Sequence, residues 1–267
     1  MKIVEFRIFM PLKLEWCRAA AKYTVNRRTK EESGNGDGFE IIEAGNFEED
    51  GHVGRYVHRV LHFKNKIPSA IRWAIPEKYS SILETNKNCF PHYVATFHMD
   101  QMGDDLICDT ETRHVEYTGM DSIPDNIMGF TEDELTIRKI VYLDILDGPE
   151  PKHKEFDIHG FSYEEAGIPK FPTKKREGDS RKPPKWLDGY KGPLVLIIKT
   201  LKFHLKWKGI QTITENYVAN KVIPTTYLDT HRAMLTWINE WFNMTEEDLV
   251  ELENKTKDDL HKNTFDE

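Results

Sequence analysis

The chain has little cysteine, no long hydrophobic run and no surplus of positive charge across its 267 residues, and each shortage excludes something. Cys17, Cys89 and Cys108 are odd in number, far apart and outside any metal-binding pattern, which leaves reduced thiols in a cytoplasmic protein as the economical reading. No stretch reaches the length of a membrane span, the opening Met1–Arg7 alternates instead of forming an apolar signal core, and Thr264–Glu267 offers no cysteine for prenylation. Membrane contact is therefore expected to be peripheral and reversible. A formal charge of −8 argues against general nucleic-acid binding, which needs a basic face. No serine or cysteine stands in a nucleophile-elbow context, and acidic pairs such as Asp104–Asp105 fall in turn-like segments, so neither an enzyme nor a cofactor is expected. Asn35, Asp37 and Gly38 echo a calcium loop, but Ser33 and Ala44 stand where that loop needs acids, so a plain turn is expected. His58, His62, His92, His98 and His114 lack a clustered acid and predict no metal site.

What the chain does have is strand after strand. Lys2–Met10 alternates apolar and polar and ends at Pro11; similar runs recur at 39–44, 55–63, 92–97, 106–114 and 140–146, separated by turn-rich segments that include 48–51 and 102–105. With little helix between them, they predict an antiparallel meander. Lys13–Arg28 carries Leu14, Cys17, Ala20, Ala21 and Val25 at helical spacing. Six prolines between Asp147 and Gly192 predict a long irregular excursion with a solvated basic cluster. The end is helical: Pro224–Phe242 forms an apolar stripe, and Thr245 with Asp248 has the spacing of a cap that opens a second helix.

Pro193–Asn216 reads as two antiparallel strands joined by a short polar connection, Lys206–Gly209. That puts Trp207 near a loop tip among lysines. Such a tryptophan either meets a water–bilayer boundary, where the indole buries its ring and the ammonium groups meet anionic headgroups, or folds back on its own domain. In the strand at 55–63, Val57, Arg59 and Leu61 share one face. If that face is internal, Arg59 needs either an internal carboxylate or an anionic ligand, and Lys199, which interrupts Leu196–Leu201, poses the same demand. Two inward cations on separate strands suit a phosphate.

Several motifs recur in one order with compatible spacing: Gly54–Arg59, Asn88–Pro91, Glu111–His114, Lys202–Phe203 with Lys206–Gly209, Glu215–Asn216, and His231–Arg232 with Trp237 and Trp241. In these the chain resembles the phosphatidylinositol transfer proteins of the single-domain kind, over nearly its whole length. The resemblance implies a single lipid-transfer domain over 1–267 with an α+β, helix-grip (START-like) fold. A large curved, mainly antiparallel sheet would surround a lipid cavity, with the helices of 224–264 as a lid. It implies a monomeric, non-enzymatic carrier of phosphatidylinositol or phosphatidylcholine, cytoplasmic and transiently at membranes. A lipid sensor that presents its cargo for phosphoinositide signalling is the alternative, and a lipid-modifying enzyme on the same fold a more remote one.

The same resemblance assigns Arg59, Asn88, Thr112, Lys199 and Glu253 to the lipid headgroup, and Trp207 with Lys208 to membrane docking. The departures matter too. Val57 stands where the family has a headgroup-binding Thr, and one missing neutral hydrogen bond is worth about 0.5–1.5 kcal/mol. Ala21, Tyr93 and Ala95 replace a Gln, a Cys and a Thr. Lys208 replaces a second membrane tryptophan, exchanging insertion for about 1 kcal/mol of attraction to an anionic surface.

Overall fold

The computed structural model describes residues 1–34, 36–49, 51–67 and 75–265; Asn35 of the glycine-rich turn and Asp50 of the acidic turn lie outside them. An eight-stranded sheet runs in the order β2 (Gly38–Glu49), β3 (His52–His62), β4 (Ser81–Cys89), β5 (His92–His98), β6 (Leu106–Glu116), β8 (Val195–Leu205), β1 (Lys2–Met10), β7 (Arg138–Tyr142). Only β1 and β7 pair in parallel; the other pairs are antiparallel. The described helices are α1 (Cys17–Glu31), α2 (Glu132–Ile137), α3 (Gln211–Tyr217), α4 (Ile223–Thr236), α5 (Ile238–Trp241) and α6 (Glu246–Phe265). The architecture is α+β, and no described helix is long and apolar enough to cross a membrane.

β1 and β8 lie side by side in the body of the sheet, and both faces of β1 are covered. Phe6 meets Tyr227 of α4 edge-on at 5.5 Å, while Phe9, on the opposite face, meets Tyr117 at 5.0 Å and stacks on Tyr142. A strand covered on both faces reads as a continuous apolar run, which is why Val195–Ile198 is so hydrophobic and fully buried. Residues 147–192 are irregular as expected, whereas the strand expected over 140–146 runs from Arg138 and stops at Tyr142. Their basic cluster at Lys174–Arg176 is exposed, but the segment also feeds Phe156, Ile158, Ile168, Phe171 and Trp186 into the core.

The expected hairpin at Trp207 does not form. β8 is flanked by β6 on one side and β1 on the other, so no edge is free for a returning strand. The chain turns at 206–210, with Ile210 and Gln211 donating to the Trp207 carbonyl, and enters α3. A π-type turn at Val218–Val222 then leads into α4, falling just before Pro224, which has no N–H to donate. β4 had no sequence signal. Its inward positions are Glu84, Asn86 and Asn88, so the alternation that marks a half-buried strand is missing. The cap at α6 is as expected: Asp248 N–H donates to Thr245 Oγ1 at 3.2 Å, and Thr245 N–H donates to the Asp248 carboxylate at 2.8 Å.

Glu5, fully buried on β1, is held by Arg7 at 2.7 Å and by Arg138 of β7 at 2.9 Å. Removing one member of a buried charge network strands the others. Glu5→Ala is expected to destabilise the fold by about 3–5 kcal/mol, read as a lowered urea midpoint with an unchanged slope.

Candidate functional site

Residues directly opposite on neighbouring strands project from one face of a sheet, so the strand register shows which side chains stand in line. One rung crosses six strands as Arg55, Asn88, Tyr93, Thr112, Lys199 and Phe6. The next on that face is Val57, Asn86, Ala95, Thr110, Leu201 and Val4. A third runs Arg59, Glu84, Phe97, Cys108 and Phe203. The face is thus amphipathic: polar and cationic groups gather on β3, β4 and the first rung, and apolar groups fill the remainder. α4 covers it at Phe6 and Lys199 through Tyr227.

Of the residues singled out from the sequence, Asn88, Thr112 and Lys199 fall on one rung, and Glu253 of α6 reaches that rung through Arg55, with Nη2 to Oε1 at 3.4 Å. The Lys199 ammonium donates to Thr112 Oγ1 at 3.1 Å and sits 4.8 Å from the centre of the Tyr227 ring. Its partner is a neutral hydroxyl, and burial pushes its pKa down to about 8. His114 is pushed down to about 4 and His231 of α4 to about 3, in each case by desolvation first and then by the Lys199 charge. Each imidazole points Nδ1 at a backbone carbonyl, Pro91 at 3.4 Å and Tyr227 at 2.6 Å respectively. Lys199 therefore holds the positive charge of this cluster at neutral pH.

Arg59 stands apart. Its guanidinium grips Glu84 with two bonds, Nε to Oε2 at 2.8 Å and Nη2 to Oε1 at 3.0 Å, and lies 4.4 Å from the Phe39 ring centre. Glu84 is only 4% exposed. Of the two ways the sequence left open to satisfy Arg59, the structure supplies the internal carboxylate. Trp207 is half-buried, its ring meeting Tyr79 edge-on at 4.8 Å, and Lys208 beside it is exposed.

Sequence reasoning missed Glu84 because it missed β4. It also missed Arg55, although the alternation that aligned Val57 with Arg59 puts Arg55 on the same face. Gly54 next to it is required by close packing: a Cβ there would lie 2.4 Å from the Asn88 carbonyl.

Fold and site together define an α+β protein whose sheet presents an amphipathic, helix-covered face with a buried cation. The chain belongs to the phosphatidylinositol transfer protein family, whose profile it matches over residues 1–258. It is 28% identical to phosphatidylinositol transfer protein 1 of Dictyostelium discoideum, covering 98% of this chain and 95% of that protein. It is likewise 28% identical to the human phosphatidylinositol transfer protein beta isoform, covering 97% of this chain and 93% of that one.

Because Lys199 binds its proton less tightly folded than unfolded, charging it opposes folding below about pH 8, and that opposition fades as pH rises through 8 toward the ordinary lysine value of 10.5. The unfolded chain holds more protons across this window, so this group's contribution to stability rises with pH there. Lys199→Met is expected to make the cargo-free protein more stable at pH 7 and to remove that rise, seen by comparing urea midpoints of both proteins from pH 7 to 10.5.

Proposed function

We propose that the protein is a non-enzymatic carrier that holds one phosphatidylinositol or phosphatidylcholine molecule between sheet and helices and exchanges it between membranes. The observation that carries this reading is Lys199, a desolvated ammonium with a neutral partner at the head of an apolar sheet face. Such a charge calls for an anion that arrives with apolar groups attached, and a phospholipid has that form. Lys199 and Tyr227 both keep uncovered surface although burial shifts their pKa values strongly, down for the lysine and up for the tyrosine. Side chains that border an enclosed space behave this way. Lipid-free, this fold would correspond to the helix-grip (START-like) type around a cavity.

The energetics favour a carrier. Two acyl chains hold on the order of 30 methylenes, and at about 0.8 kcal/mol each their exposure would cost roughly 25 kcal/mol, so free diffusion of the lipid is negligible. In this reading Lys199 meets the phosphate, while Asn88, Thr112 and Glu253 serve headgroup hydroxyls, and Arg59, held by Glu84 and Thr29, lines the polar side of the face. Trp207 and Lys208 dock a monomeric, cytoplasmic protein transiently at the membrane surface. The helix from Thr245 and the Trp207 turn form the moving element.

Native mass spectrometry of protein incubated with phospholipid vesicles tests the reading, with one bound diacyl phospholipid expected and an apo spectrum sinking it. Loading should weaken above about pH 8, as the empty protein loses the Lys199 charge that the phosphate would otherwise hold. Trp207→Ala should slow vesicle-to-vesicle transfer while leaving bound lipid in place; equal transfer rates would remove Trp207 from the docking surface.

A further inference from the structure

On the helix side of the inner face, a phenol is left with its proton unused. Tyr227 of α4 stands over the sheet with its ring edge-on to Phe6 at 5.5 Å and the Lys199 ammonium 4.8 Å from its ring centre. Among the described residues its hydroxyl has no hydrogen-bond partner, yet the oxygen is not sealed in by its neighbours and the side chain keeps uncovered surface. Burial drives its pKa up, with Cys108 and Glu84 of the third rung acting in the same direction. The Glu84 carboxylate is engaged by Arg59 through both oxygens and makes no bond to the phenol. The Tyr23 hydroxyl and Trp241 Nε1 show the usual solution for a large aromatic with a polar tip: the first donates to Glu240, the second to the Met234 carbonyl at 2.7 Å. Tyr227 has the same need and open space in place of an acceptor.

We propose that the Tyr227 hydroxyl donates to an acyl-ester carbonyl of the cargo, and that it makes the protein select ester-linked over ether-linked phospholipids. The inference rests on the carrier reading and adds Tyr227 as a specificity-determining residue. With the phosphate at Lys199, the next part of the lipid is the glycerol with its two esters, a few bonds further along. Tyr227 spans that step, because its ring faces the ammonium while its hydroxyl lies beyond the ring. The buried phenol keeps its proton at neutral pH and is there to donate; an ester carbonyl can only accept. The acyl chains beyond carry no acceptor. An alkyl ether puts a methylene where the ester has its carbonyl and leaves a weaker, single-bonded oxygen set back in the chain, so the hydroxyl goes unmet. A site that hydrogen-bonds a group disfavours the analogue lacking it for this reason. The linkage is the same in phosphatidylinositol and phosphatidylcholine, so this selection is independent of the headgroup.

Competitive loading tests the assignment. Full-length protein is incubated with vesicles containing equal amounts of a diacyl phosphatidylcholine and its dialkyl ether counterpart of matched chain length, and in a second series with the corresponding phosphatidylinositol pair. The bound lipids, which differ in mass, are counted by native mass spectrometry. Wild type should favour the ester lipid of each pair. Tyr227→Phe keeps the ring against Phe6 and Lys199, strands no protein group, and should lower the ester-to-ether ratio about two- to tenfold, the worth of one neutral hydrogen bond, while total occupancy holds. A wild-type ratio at parity overturns the assignment whatever the variant does. So does an unchanged ratio in Tyr227→Phe, or an equal loss of both lipids, which would put the hydroxyl on the phosphate they share. Wild type that takes up none of these lipids overturns the carrier reading and the role of Tyr227 with it.

Discussion

The organisation of this protein turns on one ammonium group held inside it against a neutral hydroxyl. A charge removed from water without a counter-charge is among the most expensive features a fold can keep. The other buried charges of the sheet, among the described residues, have counter-charges. Glu5 has Arg7 and Arg138, and Arg59 has Glu84. Lys199 has Thr112 and the face of the Tyr227 ring, and its pKa falls in consequence. The two nearby histidines are neutral for the same reason, so the surroundings repel further positive charge. What would relieve the cluster is an anion, and the apolar side chains beside it on β8, β1 and β6 specify what that anion must be attached to.

The sheet makes this arrangement possible. β8 is placed between β6 and β1, so Lys199 projects from a backbone fixed on both sides and cannot swing out with an edge strand. Successive rungs then grade the face from polar on β3 and β4 to apolar on β8 and β1. An amphiphile laid along this face would find its two chemistries matched in order, without any single residue having to supply both. The closed Arg59–Glu84 fork at the polar side adds rigidity while contributing almost no net charge to the face.

Much of the fold was legible in the sequence because the signals were local. β1, β8, α1 and the Thr245 cap each follow from spacing within one segment. Three features were not, and each depends on distant chain. The Trp207 segment has hairpin composition, but a hairpin requires a free strand edge, and only the order of the whole sheet shows that β8 has none. β4 carries Glu84, Asn86 and Asn88 inward, so the hydrophobic alternation that reveals a strand is absent where the site needs polarity. Arg59 and its partner could not be paired without β4. Of the site, Asn88, Thr112 and Glu253 came from family resemblance, Lys199 also from its place as a cation interrupting an apolar run, and Arg55 was readable by parity alone; Asn88, Thr112 and Lys199 share one rung.

How α6 is held bears on what it can do. α6 packs on α1 and the edge strand β2 rather than on the centre of the sheet, with Leu249 and Leu260 as its deeply buried apolar anchors. Its ties include ion pairs at or near the surface, Glu246 with Arg18 and Lys22 and Asp259 with Lys30, each worth little in water. Glu253, on its inward side, meets Arg55 through a single long contact. Among the described side chains α6 has fewer buried apolar residues than β1 or β8, and local stability follows buried contacts. Cargo that satisfied Glu253 would add to the helix's hold, and its departure would subtract from it.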